Sequence, residues 1–77
     1  MKYLLVKSKT STSVYKVDQE TTEVYTFGKD SVNHRIIKNN GEMIFQHYQV
    51  LTKSEFSRYV IEYRRFIRIL KLIRNEF

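Results

Sequence analysis

The chain has no cysteine, no proline and no tryptophan, and only two glycines and two histidines among its 77 residues. Without cysteine there are no disulfides and no thiolate metal sites, a usage that fits a reducing compartment. Long hydrophobic runs are missing too. The N-terminal MKYLLVKSKT holds four apolar residues between Lys2 and Lys7, too few for a signal-peptide core and far too few to span a bilayer. A cytoplasmic protein with no membrane span is expected. A chain of this length makes one domain, 1–77. Such a domain buries only about 60% of its unfolded surface, so its stability is marginal and self-association is one remedy.

The scarcity of histidine bears on catalysis. An activated Ser or Thr nucleophile needs one of His34 or His47 beside it, and no serine stands in a strand-turn-helix elbow. The carboxylates are no better placed. Asp18, Glu20 and Glu23 fall in or beside an exposed turn, where nothing raises a pKa towards working pH. Glu55 is engaged at a helix start, and Glu62 and Glu76 read as solvated helix charges. Gly28, Lys29 and Ser31 lack the spacing of a phosphate loop. A domain this small also has little room for a ligand pocket of the usual several hundred Å³. No enzyme, no catalytic residue and no cofactor is expected.

What is present is one dominant element, the stretch 53–76 (KSEFSRYVIEYRRFIRILKLIRNE). Thr52-Lys53-Ser54-Glu55 has the form of a capping box, in which the Thr52 hydroxyl accepts from the Glu55 amide and the Glu55 carboxylate accepts from the Thr52 amide. Leu51 before the cap and Phe56 after it are placed to form a hydrophobic staple. No proline or glycine interrupts the chain after the cap. Tyr59, Tyr63, Phe66, Leu70, Ile73 and Phe77 recur at alternating steps of four and three, and Phe56, Val60 and Ile67 widen that seam into a core-facing stripe.

The charges sort around the stripe. Arg64, Arg68 and Lys71 flank one edge, and Arg58 and Arg65 lie nearly opposite it. The formal net charge of the chain is +6. The helix segment supplies +4 of it, from seven basic residues (Lys53, Arg58, Arg64, Arg65, Arg68, Lys71, Arg74) and three acidic ones. Positive charge concentrated on one element points to a polyanion; the plain alternative is a solvated face that keeps a small protein soluble.

Three apolar residues fall outside the stripe: Ile61, Ile69 and Leu72. At about 100° per residue, Ile61, Arg65, Arg68 and Leu72 form a second strip of mixed character, and a helix apolar on two sides usually buries both. Length matters here as well. A helix of about 24 residues runs about 36 Å, whereas a 77-residue globule has a radius of gyration near 11 to 12 Å. The last turns are therefore expected to overhang the sheet, leaving Ile69, Leu72 and Phe77 for a partner or for a second copy in a homodimer.

The rest reads as a small sheet. Tyr3 to Lys7 is an apolar run suited to a buried or central strand, and SKTSTS after it is turn-like. Residues 13–17 and 22–27 form a hairpin around Asp18-Gln19-Glu20-Thr21. Its register sets Val17 against Thr22, Lys16 against Glu23 and Tyr15 against Val24, with Tyr15, Val17 and Val24 on one face and Val14, Lys16, Glu23, Tyr25 and Phe27 on the other. Aromatics beside lysine on such a face serve as a packing surface or, if open, as a base-stacking platform. Asn40-Gly41 marks a second hairpin of type I′, pairing Ile37 with Ile44 and His34 with His47 before a long last strand, 42–50. Two adjacent imidazoles with Asp30 nearby raise a metal site, but nothing else supplies ligand spacing and none is assigned.

The expected class is α+β: a small, mainly antiparallel sheet of four to five strands (two hairpins plus an N-terminal strand, residues 1–51) under one long C-terminal amphipathic helix. Two functions compete. In the first, the chain is a nucleic-acid-binding or nucleic-acid-associated accessory factor using Arg58, Arg64, Arg65, Arg68, Lys71 and Arg74. In the second it is a protein-binding module or inhibitor (from a mobile element, on its Lys-, Asn- and Ile-rich composition) that docks on an acidic surface through Ile61, Arg65, Arg68 and Leu72. An interfacial membrane helix ranks last, because the apolar stripe is needed to cover the sheet.

Overall fold

The computed structural model describes residues 1–29, 32–39 and 47–75, with residues 74 and 75 described by their backbone alone. Five strands, β1 (Lys2–Lys7), β2 (Ser11–Val17), β3 (Thr21–Gly28), β4 (Asn33–Lys38) and β5 (Gln49–Leu51), precede one helix, α1 (Lys53–Asn75). The strands form one antiparallel sheet in the order β4-β3-β2-β1-β5, with the helix across one face. The α+β expectation holds.

The β2–β3 hairpin has the expected register, Val17↔Thr22, Lys16↔Glu23 and Tyr15↔Val24. Asp18 closes it, its amide donating to the Thr21 carbonyl at 2.9 Å. Asn39, just past β4, ties that end of the sheet together. Its side chain donates to the Asp18 carbonyl at 2.7 Å and accepts from the buried Thr22 hydroxyl at 2.5 Å. At the other end the β1–β2 turn is tighter than the polar run suggested. The Ser8 hydroxyl accepts from the Ser11 amide at 3.1 Å, so β2 begins at Ser11, and Gly28 lies opposite it. A Cβ on Gly28 would stand 2.2 Å from the Thr10 carbonyl oxygen, which makes glycine a requirement of that close approach.

The expected second hairpin falls largely on residues outside the described ones. Asn40-Gly41 and the predicted partners Met43, Ile44 and Phe45 lie outside the described residues. Among the described residues, β4 pairs with β3 and the last strand is only Gln49–Leu51, on β1 at the opposite edge. The apolar run of β1 explains the choice. It offers Tyr3 and Leu5 as neighbours for Leu51, and Leu51 is thereby buried beside the helix start. His34 accordingly faces Tyr25 across the strands, while His47 is exposed and outside any strand, so the two histidines are not a cross-strand pair.

The core sits between sheet and helix. Leu5, Val14, Leu51 and Phe56 are buried together, with Tyr3, Tyr25, Tyr59 and Val60 packed around them. Alternation of side chains puts Val14, Tyr25 and Phe27 on this face, and rings from the helix meet them: Phe56 and Tyr63 against Tyr25 at 6.0 and 5.1 Å, Phe66 against Phe27 at 6.2 Å. The aromatic face is a packing surface. Leu4, Val24 and Thr22, on the other face, are buried too. The molecule measures 44 × 24 × 22 Å with a radius of gyration of 13.4 Å, above the 11 to 12 Å of a round domain because the helix outruns the sheet.

Candidate nucleic-acid interface

The helix is set in place from its first turn. The Thr52 amide donates to Glu55 Oε1 at 3.0 Å and the Glu55 amide donates to the Thr52 hydroxyl at 3.2 Å, the reciprocal pair that the capping box implies. The Thr52 amide first, then its hydroxyl, hold the Glu55 carboxyl below the usual carboxylate range. Leu51 and Phe56, the staple residues, are both buried. Cap and staple together fix the rotation of the helix.

Phe56 and Tyr63 point into the core. Stepping about 100° per residue from them puts Arg64, Arg68 and Lys71 on one flank, Arg58 and Arg65 on the crest, and Glu55 and Glu62 on the other flank. Two contacts orient the flanks on the sheet. Phe66, on the carboxylate side, meets Phe27. Arg64, on the cationic side, is close enough to Tyr25 for its charge to act on the phenol. The five cations are all exposed. Among the described residues no carboxylate forms an ion pair or hydrogen bond with any of them. Arg74 lies in the helix, its side chain outside the described atoms. Ile61 and Leu72 are 50% and 62% exposed beside Arg65 and Arg68, so the mixed strip stands on the same surface as the cationic one.

The sequence reading missed a cluster beneath the cationic flank. Tyr25 donates its hydroxyl to Glu23 Oε1, and His34 Nε2 lies 2.9 Å from the same oxygen. The Tyr25 and His34 rings stack at 4.3 Å between centroids and 13° between planes, with Tyr63 at 6.5 Å from His34. The Tyr25 hydrogen bond, more than His34, keeps the Glu23 carboxyl below its usual range against the opposing effect of burial. Burial first and Glu23 second push the Tyr25 phenol up to about 12. Glu23 and Tyr25 two residues apart on one face were legible; the third member required the β3–β4 register.

The structure corrects the expected layout in two places. Ile73, assigned to the core stripe, is exposed, because the strands end before the helix does; Phe77 lies outside the described residues. The two histidines do not face each other across strands, because His34 is engaged by Glu23 and His47 lies outside any strand; Asp30 lies outside the described residues. Among the described residues no three His, Asp or Glu side chains gather as metal ligands, and no helix is long and apolar enough to cross a membrane. A shallow recess of about 210 Å³ lies on the carboxylate flank, lined by Glu55, Arg58, Tyr59 and Glu62. In comparisons with protein-family models, with curated proteins and with solved structures, the chain finds no match.

Proposed function

We propose that this chain is a small, non-enzymatic, cytoplasmic binding protein that grips nucleic acid by its phosphate backbone through α1. The observation that supports this reading is the run of Arg58, Arg64, Arg65, Arg68 and Lys71. All five are exposed, with no ion pair among the described residues; Arg64, Arg65, Arg68 and Lys71 lie away from Glu55 and Glu62, whereas Arg58 borders both carboxylates and its charge acts on Glu55. Unpaired guanidinium groups present their donor forks to phosphate oxygens, which gives affinity and orientation without reading sequence.

Fluorescence anisotropy against mixed-sequence duplex DNA, single-stranded DNA and RNA tests it. Four to five phosphate contacts imply that affinity falls about 10²- to 10³-fold between 50 and 200 mM salt. The Arg65→Ala/Arg68→Ala double variant should weaken binding alike for every sequence and flatten the salt slope by about 2. Absence of binding at low salt ends the proposal.

A second reading draws on the exposed Ile61 and Leu72 beside Arg65 and Arg68: capture of an acidic protein surface, with arginine and aliphatic anchors. In that case Ile61→Ala and Leu72→Ala, which leave the charge of the surface unchanged, abolish capture and leave nucleic-acid binding nearly intact.

A further inference from the structure

Phe66 marks the last full row of the sheet beneath α1. It meets Phe27 at 6.2 Å, and Phe27, Thr12 and Lys7 are cross-strand neighbours in one row. From there the helix runs on past the end of the sheet that holds the β1–β2 turn, where three lysines collect. Lys7 ends β1, Lys9 sits in the turn and Lys29 follows β3. The Lys29 amide donates to the Thr10 carbonyl at 2.9 Å, and the close approach that requires glycine at position 28 seats it there. All three lysines are exposed, and among the described residues no carboxylate pairs with them.

Charge separates the two ends of the molecule. The end that holds the β1–β2 turn also receives the last turns of α1, with Arg65, Arg68, Lys71 and Arg74. These four and the three lysines stand against Asp30 and Glu76, the acidic residues next to them in sequence, and seven positive charges against two negative leave +5 of the chain's +6 at this end. At the opposite end Lys2, Lys38 and Lys53 stand with Asp18, Glu20 and Glu55, and the charges cancel. Taking the phosphate-binding role proposed for α1 as given, we infer that the contact is made end-on by a pole built from two elements. The β1–β2 turn and Lys29 supply a second row of phosphate contacts beside Arg65, Arg68 and Lys71. Nucleic acid suits this pole better than a lipid surface does. A lipid surface needs cations and aliphatics facing it together, whereas at about 100° per residue Ile69 and Ile73 lie on the flank away from Arg68 and Lys71.

Salt dependence measures what the lysines add. Three further contacts beside those of the helix should steepen the fall of log affinity with log salt from a slope of about −4 to one of about −6 to −7. The triple variant Lys7→Gln/Lys9→Gln/Lys29→Gln should flatten that slope by about 3. Lys2→Gln/Lys38→Gln/Lys53→Gln removes the same charge from the opposite end and should leave the slope nearly unchanged. All six lysines are exposed, so both triples should keep the helical circular dichroism of the wild type. Lys7→Arg/Lys9→Arg/Lys29→Arg should keep the wild-type slope, which separates lost charge from a disturbed turn. Equal effects of the two glutamine triples overturn the end-on pole and leave binding through α1 standing. A wild type that binds no nucleic acid at about 50 mM salt ends both, including the case where it pellets with phosphatidylserine vesicles instead.

Discussion

Residues 53–66 and 67–75 of α1 are one helix with one apolar period, yet they sit in different surroundings. The first part lies on the sheet: Phe56 and Tyr63 are buried, and their rings meet Tyr3, Tyr25 and Phe27. The second part carries the stripe onward through Leu70 and Ile73, but the strands that would receive it have ended, with β3 stopping at Gly28. Periodicity states which side chains share a face. It does not state how much of that face finds something to cover it. In this chain the difference separates a core-forming segment from an exposed one, and it leaves cations and bare aliphatics side by side on the same helix.

Truncating one side chain in each part should expose the contrast most strongly. Phe56→Ala should cost about 3 to 5 kcal/mol, enough to unfold much of so small a domain, whereas Ile73→Ala should stay within about 0.5 kcal/mol in dilute solution. Urea denaturation of both variants reads the contrast directly; equal losses would mean that the second part is as firmly seated as the first. Next in size is the cap that aligns the helix. Thr52→Ala removes the hydroxyl that accepts from the Glu55 amide and should cost about 1 kcal/mol, seen as a lower urea midpoint with an unchanged slope.

A smaller effect is expected within the docked part. Tyr25→Phe removes the hydroxyl that chiefly holds Glu23 below its usual range, so the Glu23 carboxyl should titrate higher in the variant by NMR. The consequence for stability has a definite sign. A carboxyl with a lowered folded pKa contributes stability above its unfolded pKa and loses it as pH falls through the folded value. The wild type should therefore lose more stability than Tyr25→Phe on acidification through the carboxylate range. An unchanged Glu23 titration would show that the phenol is not the cause.

Much of this molecule was open to reading from local pattern. The capping box, the staple, the β2–β3 register and the grouping of Arg64, Arg68 and Lys71 on one flank all depend on residues within a few positions of one another. Hydrogen-bond geometry and helical rotation act over that range. The placement of β5 was not open in this way. Its pairing with β1 rests on the burial that this edge offers Leu51, which no local turn signal reports. The Glu23–Tyr25–His34 cluster was hidden for a similar reason, since His34 meets its partners only through the β3–β4 register.

Sequence alone thus settles the helix, its start, its charge asymmetry and one hairpin, because each depends on interactions among near neighbours in the chain. The strand order, the flank of the helix that overlies Tyr25, and the point where the sheet stops beneath α1 are settled at the tertiary level. Those outcomes come from burial shared between distant segments, and no single segment carries that information.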